Sequence, residues 1–308
     1  MNPHGVIPKP KSGSDLSESW TILRLILWST DYLASKGIET GRLDAEWLLA
    51  STLGIDRIQL YLQHDRPLDL DERQAFKQLL RRRASREPLQ YIIGWTAFRE
   101  LTLVTDPRAL IPRPETEILV EEVLAWAEER NAGLGIVMDL GTGTGAVSVS
   151  LAVEGVCTRI LATDISEKAL DLARLNAQRH GVEELLDFRR GSLFEIVASE
   201  EVFDVIVSNP PYVATGERAG LQPEIQDWEP SEALFAGEDG LDIICPLILG
   251  APEHLIDGGL LALEVGLGHV ERVAGQVRDS GWFEKVRVRR DFSGHPRIVL
   301  GERRTTGS

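Results

Sequence analysis

The sequence predicts an α/β protein in which a mostly parallel, doubly wound sheet follows a small bundle of helices. Three observations lead to this prediction. Apolar residues recur at helical spacing in residues 16–86, short apolar strands alternate with helices after Gly135, and prolines separate the two patterns. Strands that alternate with helices favour a parallel sheet, because each helix returns the chain to the edge where the next strand begins.

Residues 15–88 are expected to form the helical domain. Leu23, Ile26 and Leu27 show the i, i+3, i+4 spacing of one helix face, and Asp69 is placed to cap a later helix. The end of that later helix carries a basic patch, which consists of Arg81, Arg82, Arg83 and Arg86. We interpret this patch as a solvated face, with a docking site for a partner as the alternative.

The rest of the chain divides into a β-hairpin linker at residues 89–110 and a sheet domain at residues 111–304. The hairpin is predicted because residues 91–104 are rich in β-branched and aromatic side chains. Pro114 and the acidic residues after it are typical of the first turn of a helix. Seven strands are then predicted, at residues 136–140, 159–163, 186–190, 202–208, 260–265, 286–290 and 297–300.

The composition is that of an ordinary globular protein, with 43% hydrophobic and 26% charged residues. No run of about 18 apolar residues occurs, so no membrane segment is expected. Residues 1–14 lack the apolar core of a signal peptide and are predicted to be a flexible tail. Cys157 and Cys245 exclude a disulfide scaffold and favour the cytoplasm. The six histidines show no ligand spacing, so no metal is expected.

The net charge of −15 is concentrated in the second half of the chain. Residues 195–242 contain 12 acidic residues and a single basic one, Arg218. Such a chain is a poor candidate for direct nucleic-acid binding, which requires Lys and Arg to neutralise phosphates. We interpret the acidity as a solvated face, with electrostatic attraction to a basic protein partner as the alternative.

A glycine-rich turn after the first predicted strand of the sheet indicates a ligand site. It consists of Asp139, Leu140, Gly141, Thr142, Gly143, Thr144 and Gly145. Glycines let a ligand approach the backbone, and the N–H groups of the following helix point at it. Asp164 ends the next strand, where a carboxylate accepts hydrogen bonds from ribose hydroxyls. An adenosine-containing cofactor is therefore predicted. A nicotinamide dehydrogenase is one such possibility, because Gly141, Gly143 and Ala146 also fit the dinucleotide pattern.

The tetrapeptide Asn209-Pro210-Pro211-Tyr212 follows the fourth predicted strand and favours a different chemistry. Two prolines make the turn rigid and remove backbone donors, which leaves the Asn209 side-chain oxygen and the Pro210 carbonyl as acceptors. A planar NH2 group offers two donors, and this pair can hold both. Hydride transfer needs no such cradle. A plain Pro-Pro turn is the structural alternative.

This tetrapeptide resembles the signature of amino-group methyltransferases that use S-adenosylmethionine. Over about residues 16–301 the chain is similar to the HemK/PrmC family of release factor glutamine methyltransferases. Besides the two motifs above, the segments that carry this resemblance are residues 43–46, 87–94, 110–117, 229–230 and 237–241. Ser192 stands where the family commonly has Asp, and His269 where it often has Gln.

The resemblance implies a Rossmann-like class I S-adenosylmethionine-dependent methyltransferase sheet. The reaction it implies is methyl transfer to the side-chain amide nitrogen (N5) of the glutamine in the Gly-Gly-Gln motif of class I peptide chain release factors. The catalytic residues would be Asn209, Pro210 and Tyr212, and the substrate-binding residues would be these three with Pro211. The cofactor-binding residues would be Gly141, Thr142, Gly143, Thr144, Gly145, Asp164, Leu193 and Asn209. Residues 15–88 would recognise the substrate.

Three other functions are compatible with parts of this pattern. A glutamine methyltransferase of a ribosomal protein differs only in its substrate. An adenine-N6 DNA methyltransferase uses a similar tetrapeptide, but the net charge and the lack of a long target-recognition insert argue against it. A binding module without enzymatic activity leaves the acceptor cradle unexplained. We expect a monomer that binds neither nucleic acid nor membrane.

Overall fold

The structure is a computed structural model and describes residues 19–305, so the tail predicted at residues 1–14 lies outside the described residues. The chain divides after Ser85 into two compact units. Within the described range, none of the helices combines the length and the apolar character needed to cross a bilayer.

The first unit is a bundle of short helices. They are α1 (Ile22–Ala34), α2 (Gly41–Leu53), α3 (Arg57–Leu62) and α4 (Leu70–Ala84). Leu33, Leu48 and Phe76 are among its fully buried side chains. The predicted cap of α4 is confirmed, because the Asp69 side chain accepts a hydrogen bond from the Glu72 amide and Glu72 accepts one from the Asp69 amide.

The prediction that the basic patch at the end of α4 is a solvated face is wrong for two of its four arginines. Arg83 is buried, and its Nε donates to Asp44 Oδ2 over 2.7 Å. The helical period explains this position, because Arg83 follows Phe76 by seven residues and so shares its buried face. Arg86, in the second unit, donates to Glu224 Oε2 over 2.6 Å.

The second unit begins with a short helix, α5 (Leu89–Ile93), and an antiparallel hairpin of β1 (Trp95–Phe98) and β2 (Leu101–Val104). The sequence had predicted extended structure from residue 91, but Leu89–Ile93 forms a helical turn that ends at Gly94 with φ +83°. Phe98, Leu101 and Leu103 are buried in the larger core, so the hairpin belongs to the second unit.

A seven-stranded, mostly parallel sheet with helices on both faces forms the rest of this unit, as predicted. Its strands are β3 (Gly135–Leu140), β4 (Cys157–Asp164), β5 (Leu186–Arg190), β6 (Phe203–Ser208), β7 (Leu255–Glu264), β8 (Phe283–Arg290) and β9 (Pro296–Arg303). The helices are α6 (Pro114–Glu129), α7 (Ala146–Glu154), α8 (Glu167–Arg179), α9 (Pro223–Trp228), α10 (Ile244–His254) and α11 (Val270–Asp279).

The strand order is β5-β4-β3-β6-β7-β9-β8, and β9 runs antiparallel to both of its neighbours. Successive residues of a strand face opposite sides of the sheet, so Val137 joins the core on one face and Met138 the core on the other. The chain runs from β3 outward through β4 to β5 and returns to β6 on the other side of β3. This reversal leaves a crevice at the carboxyl ends of β3 and β6, where open α/β sheets bind ligands.

Candidate active site

A cavity of about 320 Å³ lies at the carboxyl ends of β3, β4 and β6. Both predicted motifs line it, because the glycine turn follows β3 and the Asn-Pro-Pro-Tyr segment follows β6. The predicted site residues among its lining are Gly141, Thr142, Gly143, Thr144, Asp164, Leu193, Asn209, Pro210 and Pro211. Gly145 and Tyr212 are not among the lining residues.

The glycines of the turn have two different roles. Gly141 and Gly143 have φ values of +73° and +57°, and a Cβ on either would meet no atom of the described residues within 4 Å. Since both residues line the cavity, their side chains would enter it. A Cβ on Gly145 would instead lie 3.2 Å from Ala173 Cβ on α8 and from Val149 on α7. Gly145 therefore allows close packing of helices.

Asn176 of α8 connects the glycine turn with the hairpin. Its Nδ2 donates to the carbonyls of Thr144 (2.9 Å) and Val104 (3.1 Å). Its Oδ1 accepts from the Val104 amide over 2.7 Å, and the whole side chain is buried. One side-chain amide thus binds the glycine turn and pairs with both the N–H and the carbonyl of Val104 in β2.

Asp164 presents a fixed carboxylate to the cavity. Its Oδ2 accepts from the Gly143 amide over 3.0 Å and its Oδ1 from the Ser166 amide over 2.9 Å. Burial raises the pKa of Asp164, while these amide donors oppose the rise. A carboxylate held at this position has lone pairs left for the ribose hydroxyls that the sequence predicted.

Asp139 occupies the anion-binding end of α7. Its Oδ2 accepts from Thr142 Oγ1 over 2.7 Å and from the amide of Ser148, in the first turn of α7, over 3.2 Å. Burial raises its pKa to about 6. A dinucleotide places its pyrophosphate at this helix end, but here the chain already supplies a carboxylate. The geometry therefore disfavours the nicotinamide alternative.

The charges of the lining fit S-adenosylmethionine, whose sulfonium is positive and which has no phosphate. Three carboxylates line the cavity, those of Asp139, Asp164 and Glu232. The two lining arginines, Arg108 and Arg113, each pair with a carboxylate of their own. Negative charge therefore prevails in the lining, and a cationic ligand is favoured there.

Ser192 and Leu193, which follow β5, also contribute to the cavity. Both line the cavity, and Leu193 adopts a φ of +47°, which non-glycine residues rarely do. Residues held in such a backbone conformation cluster at ligand sites, because the surrounding structure must impose it. Ser192 lines the cavity where the resemblance had suggested that an Asp would be common.

Asn209 lines the cavity at the end of β6, and a chain of two hydrogen bonds orients its side chain. Its Nδ2 donates to Thr116 Oγ1 over 3.0 Å. Thr116 Oγ1 in turn donates to Glu264 Oε2 over 2.7 Å. Within residues 19–305 no group donates to Asn209 Oδ1, so this oxygen is left for a ligand.

Glu264 is a functional candidate that the sequence reasoning missed. It ends β7, it is 1% exposed, and burial raises its pKa to about 7. The hydroxyls of Thr116 and Tyr212 and the charge of Arg297 lower this pKa, whereas Glu115 raises it further. A carboxylate at the end of an otherwise apolar parallel strand was the available signal.

Tyr212 packs beside the cavity rather than into it. Its half-buried ring contacts the second core, and its Cδ2 lies 2.9 Å from where a Cβ on Gly266 would be. Burial raises the pKa of its hydroxyl to about 12, so the phenol is neutral. The predicted packing of Tyr212 on a substrate amide stays a prediction.

Comparison with known proteins gives a consistent result. A family model described as the PrmC N-terminal domain matches residues 24–94, and one described as the Methyltransferase small domain matches residues 115–223. The release factor glutamine methyltransferase of Geobacter sulfurreducens is 43% identical over 92% of this chain and 97% of its own length. The enzyme of the same name from Rhodopirellula baltica is 36% identical over 91% and 95%.

Similarity to solved structures supports the fold alone. The catalytic domain of hMettl16, solved in complex with the MAT2A 3′UTR hairpin 6, superposes with a TM-score of 0.56 at 16% identity. The superposition covers 71% of this chain and 83% of that one. At this identity it confirms the predicted sheet and carries no information on the substrate.

Proposed function

The chain belongs to the release factor glutamine methyltransferase family, and we propose that it methylates N5 of the glutamine in the Gly-Gly-Gln motif of class I peptide chain release factors. The observation that carries this proposal is that Asn209, whose Oδ1 accepts no hydrogen bond within residues 19–305, and Pro210 both line the cavity, where Asn209 Oδ1 and the Pro210 carbonyl would serve as two acceptors. A primary amide has two N–H donors in one plane, and two fixed acceptors suit it. The carboxylates among the lining residues suit a cationic cofactor.

The cofactor is S-adenosylmethionine, which supplies an electrophilic methyl group on a positively charged sulfur when bound. Asp164 would accept hydrogen bonds from the ribose, and the backbone at Gly141 and Gly143 would let the cofactor approach closely. Leu193 would border the adenine, and the carboxylates of the lining would favour the positive charge.

The residues of this chain act by positioning. An amide nitrogen is a poor nucleophile because resonance delocalises its lone pair. Asn209 Oδ1 and the Pro210 carbonyl would accept both N–H hydrogens and so direct the face of the nitrogen toward the methyl carbon. Among residues 19–305, no histidine, cysteine or lysine lines the cavity. The proton that the nitrogen loses would pass to water after the transfer.

The helical domain at residues 15–88 is proposed to bind the body of the release factor. Apolar side chains on α3 support this role, because Ile58 and Leu62 are 64% and 75% exposed. A second contact on the same chain raises affinity through effective concentration. Leu62→Ser should raise KM for the intact release factor and leave activity on a short Gly-Gly-Gln peptide unchanged. Leu249→Ser, at a leucine of the second unit that is 71% exposed, is the matched control.

The experiment that tests the proposed function is incubation with labelled S-adenosylmethionine and purified release factor, followed by peptide mapping. We expect one methyl group on the glutamine of Gly-Gly-Gln and none when that glutamine is replaced by alanine. Labelling of a ribosomal protein or of DNA, with no labelling of the release factor, would overturn the proposal. Calorimetry with S-adenosylmethionine and with NAD separates the two cofactor classes.

We also propose that the protein acts as a monomer in the cytoplasm and does not bind nucleic acid directly. The two cysteines are free, which suits a reducing compartment. The net charge of −15 opposes non-specific binding to phosphates.

A further inference from the structure

We propose that Thr116 and Glu264 are positioning residues that determine which end of the Asn209 amide faces the substrate. This inference rests on the proposed methyl transfer to an amide nitrogen. It assigns a role to two residues that had no predicted role, and it concerns the direction of hydrogen bonds rather than their number.

Three separate elements bring these side chains together. Thr116 lies in the first turn of α6, Asn209 follows β6, and Glu264 ends β7. The parallel register pairs Ser208 with Leu263, so the next residues, Asn209 and Glu264, lie side by side where the two strands end. Thr116 bridges them, and both Thr116 and Glu264 are almost completely buried.

The direction of the hydrogen bonds follows from the chemistry of the groups. An ionised carboxylate only accepts, so the single hydroxyl hydrogen of Thr116 must point at Glu264 Oε2. Thr116 Oγ1 can then only accept from its other neighbour, which requires Nδ2 of Asn209 at that position. Oδ1 is thereby fixed as the atom available to the cavity.

This orientation matters because the substrate amide presents donors. If the Asn209 amide turned over, Nδ2 would face the two N–H groups of the substrate and the cradle would lose one acceptor. Oδ1 and Nδ2 have nearly the same shape, so packing alone does not distinguish the two orientations. The hydroxyl of Thr116 does distinguish them, since it donates to Glu264 and therefore cannot donate to Oδ1.

The protonation state of Glu264 controls this direction. A protonated carboxyl can donate to Thr116 Oγ1, which frees the threonine hydrogen to point at Asn209 and favours the reversed amide. The charged and titratable groups that face Glu264 are Glu115 on α6, Tyr212 after β6 and Arg297 on β9. With the pKa of Glu264 raised to about 7, the chain of hydrogen bonds should lose its direction as the pH falls through neutrality.

The first test compares three threonine variants at saturating S-adenosylmethionine and release factor. Thr116→Val removes the hydroxyl at nearly constant shape and should lower kcat by about 10- to 100-fold, as small errors of orientation do. Thr116→Ser keeps the hydroxyl and should restore kcat to within a few-fold. Thr105→Val is the matched control, because Thr105 is equally buried and donates to the Gln90 carbonyl. The dissociation constant of S-adenosylmethionine should be unchanged in all three.

The second test is the pH profile of kcat. The wild type should lose activity on the acid side with an apparent pKa of about 7, whereas Glu264→Gln should have a lower and flat profile over that range. Equal kcat in Thr116→Val and Thr105→Val, or an unchanged acid limb in Glu264→Gln, would overturn the inference while leaving the proposed function intact. A wild type that does not methylate the release factor would overturn the proposed function and this inference with it.

Discussion

Asp44 in the first unit and Glu264 in the second are both buried carboxylates, but their surroundings are opposite. Asp44 Oδ2 accepts from Arg83 Nε over 2.7 Å and from Thr40 Oγ1 over 3.0 Å. Glu264 accepts from the Thr116 hydroxyl, and no cation of residues 19–305 lies within 4.0 Å of it. The first carboxylate is neutralised by a guanidinium, whereas the second has a neutral hydroxyl as its hydrogen-bond partner.

This difference separates a structural acid from a functional one. A buried carboxylate that stabilises a fold needs a paired charge, because its desolvation is otherwise uncompensated. A carboxylate without that pair costs stability when it ionises, as the raised pKa of Glu264 indicates. We infer that the protein retains this destabilising carboxylate because Glu264 is needed as a hydrogen-bond acceptor for Thr116 at the active site.

The largest expected effect comes from breaking the ion pair between Arg83 and Asp44. Arg83→Met leaves Asp44 buried without its cation, and removing one partner of such a pair costs about 3–5 kcal/mol. Chemical denaturation should show an early transition of the first unit. The double variant Arg83→Met with Asp44→Asn should recover most of the loss. A loss below about 1 kcal/mol in the single variant would mean that water solvates Asp44, contrary to its burial.

The next effect concerns the acceptor that Glu264 supports. Asn209→Ala removes Oδ1 and should lower kcat by about 100-fold or more, because one oriented electrostatic contact is lost at the reacting group. Calorimetry should show cofactor binding close to that of the wild type. Near-normal turnover at saturating substrate would contradict the role given to Asn209.

The smallest expected effect is on the free energy of unfolding, to which ionised Glu264 contributes unfavourably. The pKa of Glu264 is about 7 in the folded protein and near 4.5 when unfolded, so the folded state binds the proton more tightly. The contribution of Glu264 to wild-type stability should therefore fall as the pH rises from about 4.5 through 7. Glu264→Gln should be more stable than the wild type at pH 8, by about 1–3 kcal/mol, and the gain should vanish in acid.

Glu201 provides the control, because replacing it should change the stability at pH 8 in the opposite direction. Hydrogen bonds from Arg189 lower the pKa of Glu201 to about 2, so its contribution to stability is present above about pH 4.5 and is lost in acid. Glu201→Gln should accordingly destabilise the protein at pH 8. Thermal unfolding of both variants across the pH range measures the contrast, and a stability of Glu264→Gln below the wild type at pH 8 would contradict it.

The features that the sequence predicted correctly depend on local patterns. The parallel sheet follows from strands that alternate with helices, and the glycine turn and Asn209 follow strand ends that meet at one edge. Thr116 and Glu264 were missed because they are 148 residues apart and come together only through the register of β6 with β7. Local pattern also misjudged Arg83, since a run of arginines does not show which one faces the core.

Gly145 and Tyr212 show the same limit within the motifs themselves. A motif identifies residues by their spacing, but the direction of each side chain depends on packing. Gly145 makes room for α8, and the Tyr212 ring packs against the core beside Gly266.

The side chain of Asn176 has a consequence for hydrogen exchange. The amide hydrogen of Val104 in the hairpin can exchange with solvent only when it separates from Asn176 Oδ1, and the same side chain holds the Thr144 carbonyl in the glycine turn. A ligand that steadies the turn therefore also slows the opening that exposes Val104. Hydrogen exchange at the Val104 amide therefore reports cofactor occupancy from a strand that does not line the cavity.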